Sequence, residues 1–251
     1  MPEMSDSLKK IGLTQKDVLY LIILQIINNT PAHAAEIHRL VSEYSRKDKF
    51  GPTRSRTYIY KTIEELRETH LIQFQKDGRK KIFYLTEQGA ENLKDYRKKI
   101  YPTLITLAKI TEHMKTIISS QTLIPFGTEP SSQEKRYLSK LVNVKGLIRW
   151  YTLHRLIQEG PLHGGPLYKE MNIWFGWMNN HGYFYQVLRE LDNDGLVSST
   201  WLDDDTRVHR IYQISDCGKT KFNLISKQME SHINDVHQAL RFMIQQIDHT
   251  S

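Results

Sequence analysis

Thr57-Tyr58-Ile59-Tyr60-Lys61-Thr62-Ile63-Glu64-Glu65-Leu66-Arg67-Glu68-Thr69-His70-Leu71-Ile72 returns, altered, as Gly182-Tyr183-Phe184-Tyr185-Gln186-Val187-Leu188-Arg189-Glu190-Leu191-Asp192-Asn193-Asp194-Gly195-Leu196-Val197. Tyr58 and Tyr183, Tyr60 and Tyr185, Glu65 and Glu190, Leu66 and Leu191, and Leu71 and Leu196 align at an offset of 125. The likeness extends outward. Pro31-Ala32-His33 matches Pro161-Leu162-His163, and Leu85-Thr86-Glu87-Gln88-Gly89 matches Ile214-Ser215-Asp216-Cys217-Gly218. A repeat this long, present twice, is a duplicated domain rather than a solenoid. The expectation is a built-in pseudo-dimer.

Each copy of the 251-residue chain is long enough for its own core. The net charge of +7 suits an anionic partner. It is unevenly placed. Residues 1–125 hold 21 basic and 14 acidic side chains, whereas residues 126–251 hold 14 of each. The single cysteine, Cys217, leaves no disulfide framework or thiolate zinc cage and suits a reducing compartment. The longest apolar stretch, Val18 to Ile27, contains Gln25 and is too short to span a bilayer. With no signal-peptide layout at the start, we expect a cytoplasmic, nucleoid-associated protein without membrane contact.

Within copy one, Val18, Leu21, Leu24 and Ile27 predict a buried helix over 16–28. Thr30 and Pro31 predict the cap and first turn of a second helix running to about Tyr44, followed by a polar, basic loop over 45–55. Ile59, Ile63 and Leu66 recur at helical spacing, so Tyr58, Lys61, Thr62 and Glu65 should point away from the core. Two strand-like runs, Leu71–Phe74 and Lys81–Leu85, flank the hairpin signal Asp77-Gly78. Thr86 could cap a fourth helix, interrupted or ended at Pro102 and resuming from Thr103 to Ser119.

Copy two predicts helices over 144–158, 161–171 and 180–193, then a hairpin from Leu196 to Ile214. Its connection is four residues longer, with its turn near Asp203-Asp204-Asp205. A final helix carries the stripe Phe222, Ile225, Met229, Ile233, Leu240, Met243 and Ile247, expected to pack on segment 86–120. Three helices followed by a two-stranded wing is the winged-helix order. The fold expectation is α+β, mostly α. Two tandem winged-helix domains, 14–120 and 141–251, are joined by a linker over 121–140, and each ends in a long helix.

Gly160-Pro161-Leu162-His163-Gly164-Gly165-Pro166-Leu167 resembles the Gly-Pro-Leu-His-Gly-Tyr signature that opens helix two of PadR-family transcription regulators. Gly182 to Leu191, then Gly195-Leu196-Val197, resembles that family's recognition helix and the start of its wing. Arg210-Ile211-Tyr212-Gln213-Ile214-Ser215, closing on Gly218, resembles its wing exit. Copy one is similar more loosely, at Pro31-Ala32-His33-Ala34 and Phe83 to Gly89. The resemblance implies double-stranded DNA binding and repression, often relieved by a small aromatic or hydrophobic effector, and a homodimer. The duplication departs from the family's single winged helix and puts a symmetric palindromic operator in doubt.

Thr53, Arg54, Ser55, Arg56, Thr57 and Tyr58, with Tyr60 and Lys61, stand at the start of the expected recognition helix. Backbone N–H groups and short polar side chains there can hold phosphates while Arg and Lys reach bases. Lys76, Arg79, Lys80 and Lys81 cluster at the hairpin tip, where positive charge meets phosphate. The bland alternative is solvated surface charge. In copy two the equivalent helix start offers Asn179, Asn180, His181, Tyr183 and Gln186, with Arg207 in support, beside three carboxylates that repel phosphate. Two readings stand: a weaker DNA reader, favoured because Asn and Gln read bases well, or a domain turned to dimerisation or sensing. Trp174 and Trp177 either line an effector pocket or a protein interface, or pack ordinarily. Nucleophile-elbow, zincin and P-loop motifs are missing from the sequence, so we expect neither an enzyme nor a cofactor. The rival readings are a winged-helix protein-interaction scaffold and a non-catalytic DNA-holding subunit.

Overall fold

The computed structural model describes residues 15–48, 55–127, 129–175, 180–202 and 210–248. It divides into two units, Met1–Ile105 with Gln238–Ser251, and Thr106–His237. The fold is α+β and mostly helical, with two small antiparallel sheets.

In unit 1, α1 (Gln15–Asn29) buries Leu19 and every residue from Leu21 to Ile27. The expected buried helix is present, and a run this apolar is enclosed on all sides from Leu21 to Ile27. Even Gln25 is buried. Its amide donates to Asn29 Oδ1 at 3.0 Å, and its carbonyl oxygen accepts from Arg97. Thr30 and Pro31 do not open α2 as expected. Ala32–His33 is a short strand, β1, paired with Phe83 and Ile82, and α2 runs from Ala34 to Asp48. The cap is His33, whose Nδ1 accepts from Glu36 N–H at 3.0 Å. Extended backbone is needed here to complete the sheet, so the helix starts later. It also continues four residues past Tyr44, into the stretch read as loop.

α3 (Arg56–Glu68) is capped by Ser55, whose hydroxyl accepts from Tyr58 N–H. It buries Ile59, Thr62, Ile63 and Leu66. Thr62 therefore joins the core, contrary to expectation, and its hydroxyl is satisfied by the Tyr58 carbonyl at 2.9 Å. The chain leaves α3 through His70 at φ 57. β2 (Ile72–Asp77) and β3 (Lys80–Leu85) form the hairpin, in sheet order β1-β3-β2. Both strands are longer than the apolar runs that announced them. Gly78, at φ 56, opens the two-residue turn. Thr86 then caps α4, accepting from Gly89 N–H at 2.9 Å. α4 is one helix, Glu87–Ser120, and Pro102 neither ends nor divides it. Pro102 is exposed, and the buried Ile100, Leu104, Leu107 and Ala108 flanking it hold the helix against the one lost hydrogen bond.

Unit 2 repeats the plan. The stretch read as linker contains α5 (Ser132–Leu141), closed by a capping box between Ser131 and Glu134. α6 (Val144–Glu159) is capped by Asn143. β4 (Leu162–His163), α7 (Gly164–Phe175), α8 (His181–Asn193), β5 (Val197–Trp201) and β6 (Arg210–Ile214) follow, in sheet order β4-β6-β5. Gly195, at φ 67, takes the turn that His70 takes in unit 1. The expected turn at Asp203-Asp204-Asp205 lies outside the described residues. α9 (Asp216–Asp248) buries Phe222, Met229, Ile233, Leu240 and Ile247 of its stripe, and Phe242 and Ile244 besides. Ile225 and Met243 are half-buried. Within unit 2, α9 meets α4 through His237. Its Nε2 lies 2.9 Å from Glu112, and its Nδ1 lies 3.1 Å from the Thr111 hydroxyl and 3.2 Å from the Ala108 carbonyl.

Candidate nucleic-acid interface

The exposed face of α3 is built by exclusion. With Ile59, Thr62, Ile63 and Leu66 turned inward, Arg56, Thr57 and Lys61 are left in solvent and Tyr58 and Tyr60 are half-buried at the edge. Ser55 is exposed as the cap. Arg56 lies along the helix, its Nε donating to the Tyr60 hydroxyl at 3.0 Å and its guanidinium 5.1 Å from the Tyr60 ring. Thr53 and Arg54 lie outside the described residues.

Glu65 was expected on the outward face but is occupied structurally. It accepts from the Tyr20 hydroxyl at 2.6 Å and pairs with Lys16 at 3.0 Å. The Tyr20 hydrogen bond, with Lys16 behind it, holds the Glu65 carboxyl below its usual range. Burial first, and then Glu65, pushes the Tyr20 hydroxyl up to about 12. Glu190 in unit 2 is tied to Lys145 on α6 in the same way, at 2.6 Å. In both units a carboxylate on the third helix is spent on fixing that helix against the first.

The wing of unit 1 carries Lys76, Arg79, Lys80 and Lys81, all exposed. Lys80 faces Asp77 across the ladder, but Lys76 faces Lys81. A like-charged cross-strand pair is unfavourable for folding. Lys81 is steadied by the Phe74 ring, 4.4 Å from its ammonium. Among the described residues of this wing the charge is strongly positive, which is what a phosphate-facing hairpin requires.

In unit 2 the corresponding helix begins at Asn180, whose side chain accepts from Gly182 N–H at 2.8 Å. Asn180 thus serves as the helix cap. His181 is exposed and held between Tyr168 and Tyr185, ring centroids 4.9 and 4.6 Å away. Tyr183 and Gln186 are also exposed, and Gln186 donates to Glu190 at 3.2 Å. Asn179, Arg207 and Trp177 lie outside the described residues. Trp174 closes α7, its carbonyl oxygen 3.0 Å from His113 Nε2. Trp174 is half-buried. Among the described residues there is no helix long and apolar enough to cross a membrane.

Residues 153–224, the stretch from α6 through the wing into α9, match the transcriptional regulator PadR-like family. Unit 2 therefore carries a PadR-like domain, of a family whose members are transcription regulators rather than enzymes. The match suggests a DNA-binding regulator. No curated protein matches the chain.

Proposed function

We propose that the chain is a sequence-specific double-stranded DNA-binding repressor in which two PadR-like winged helices work as an intramolecular pseudo-dimer. The observation that carries this reading is the repetition, in unit 1, of the geometry of the PadR-like unit 2. Sheet order, capped third helix, exit turn and hydroxyl-capped fourth helix all recur. The winged-helix domains would span 14–120 and 141–251, joined by 121–140.

On this reading α3 enters the major groove. Arg56 and Lys61 reach base edges, Ser55, Thr57, Tyr58 and Tyr60 position the backbone, and Lys76, Arg79, Lys80 and Lys81 hold phosphate. Unit 2 adds base contacts through Asn180, His181, Tyr183 and Gln186. Thr53, Arg54, Asn179 and Arg207 complete the two faces, and Trp174 and Trp177 are assigned to a small aromatic effector. The protein would act at the nucleoid, alone or as a homodimer.

Selection of bound sequences from random duplex DNA tests the reading. An enriched motif with two unlike half-sites is expected for one chain, and a palindrome for two. Arg56→Ala should weaken binding to that motif by roughly 1–3 kcal/mol and leave the melting temperature in place. Failure to enrich any sequence removes the function.

A further inference from the structure

Unit 2 contains a groove of about 800 Å³ between the start of α7, the outer face of α8 and the wing. The duplication supplies an internal control for it. By the alignment of the copies, Phe74 of β2 becomes Ser199 of β5, each facing an aromatic residue of the next strand. In unit 1 the Phe74 ring packs 6.1 Å from Phe83. In unit 2 the small Ser199 turns to Asp192 instead, leaving Tyr212 and Trp201 to wall a groove.

The charge changes in the same place. Glu36 and Glu64 of unit 1 become Pro166 and Arg189 of unit 2, and Arg39 becomes Lys169. In unit 1 the two carboxylates neutralise Arg39 and Arg67. In unit 2 neither Lys169 nor Arg189 has a carboxylate within ion-pair distance among the described residues. Arg210, by contrast, is paired with Asp192 at 3.0 Å and lies 5.3 Å from the Trp201 ring, stiffening that wall. Among the described residues, the electrically neutral copy thus places two cations without a carboxylate partner in one groove.

The start of α7 completes it. At Gly164 an added Cβ would stand 2.8 Å from the Tyr185 ring, which would have to shift to admit it. A Cβ at Gly165 would meet nothing within 4 Å, so the space beside this turn is open. A helix start, two cations without a carboxylate partner among the described residues, and the Trp201 and Tyr185 rings together fit a flat ring that carries a dianion.

We propose that this groove binds a nucleotide, its base against Trp201 and Tyr185 and its phosphate between Lys169, Arg189 and the first turn of α7. The nucleotide is either free or an unpaired unit of a DNA strand held by the regulator; the second source rests on the DNA-binding reading above. A plain aromatic acid would use one cation, whereas a phosphate monoester uses both.

The test is calorimetric titration of the full chain with 2′-deoxyadenosine 5′-phosphate, deoxyadenosine and inorganic phosphate. Parallel titrations use a blunt duplex and the same duplex with one unpaired 3′ nucleotide. Saturable binding of the nucleotide at least tenfold tighter than of the nucleoside or phosphate assigns a free ligand. Extra affinity for the overhang over the blunt duplex assigns a strand-borne one. Either signal should fall tenfold or more in Arg189→Glu, which restores the unit 1 charge. It should also fall in Gly165→Ala, whose added methyl touches no protein atom and should leave the melting temperature unchanged. Absence of both signals, or signals untouched by both variants, overturns the proposal. Nucleotide binding without duplex binding keeps the groove and removes the repressor reading. Blunt-duplex binding with neither signal does the reverse.

Discussion

Gly89 and Gly218 hold equivalent places one turn into the helix that leaves each wing. A Cβ at Gly89 would overlap the Leu71 carbonyl oxygen, and one at Gly218 the Leu196 carbonyl oxygen. Those carbonyls also accept from Thr86 N–H and Ser215 N–H, both at 3.1 Å, so they cannot move aside. Replacing either glycine by alanine should destabilise its unit by about 1–3 kcal/mol, the range for an overpacked core. Chemical denaturation of the two variants checks this; a loss under 0.5 kcal/mol in both would mean that the helix start yields. His154 gives a second test. It is buried, stacked 5.1 Å from Trp150 and 6.1 Å from Phe222. Burial first, and then the Arg155 charge, holds it below its ordinary 6.5. Between that lowered value and 6.5 the unfolded chain takes up a proton that the folded chain refuses. Stability should therefore fall as pH drops below about 6.5. His154→Phe keeps the ring stack and removes the titration. The melting temperature between pH 7.5 and 5.5 should slope less in the variant than in the parent.

At the scale of the element, the wing of unit 1 sets stability against charge. Lys76 opposite Lys81 weakens the ladder, and opposite charges there would strengthen it. Lys76→Glu should gain roughly 0.2–1 kcal/mol of stability while weakening DNA binding and flattening its salt dependence by about one unit of slope. Opposite signs in the two measurements are the point. If both fall together, the charge at this position serves folding and the wing is not a phosphate contact. The third helices illustrate the other use of charge. Glu65 and Glu190 sit among candidate base readers yet are engaged by Lys16 and Lys145, so their part is to set the angle of the helix.

At the scale of the whole molecule, the final helix is divided. Its residues to His237 belong to unit 2, and those from Gln238 belong to unit 1. Leu240, Phe242, Ile244 and Ile247 are buried. A chain ending at His237 would strip those four from unit 1, at roughly 1.5–3 kcal/mol for each fully buried side chain. Together that is comparable to the whole margin of an ordinary domain. The truncated protein should lose the unfolding transition of unit 1 or aggregate, and should lose DNA affinity with it. A soluble product with an unchanged two-unit melting profile would show that the last turns of α9 are dispensable.

Local chemistry made much of this protein legible in its sequence. The offset of 125 made the repeated pattern visible because matching cores need matching residues at matching depths. Apolar spacing placed α3, since a helix buries every third or fourth side chain, and the repeat carried the same order to α6 and α8. Asp77-Gly78 placed the hairpin because few residues accept a positive φ. Partners distant in sequence decided the rest. His33 caps α2 because β3 recruits the preceding residues into the sheet. Thr62 is buried because the Tyr58 carbonyl can satisfy it. α4 passes through Pro102 because the residues around it are buried. The groove of unit 2 was written in plain view, as Glu64 against Arg189 and Phe74 against Ser199. Those exchanges look unrelated along the chain, and only the fold brings a helix start, a helix face and a wing to one place.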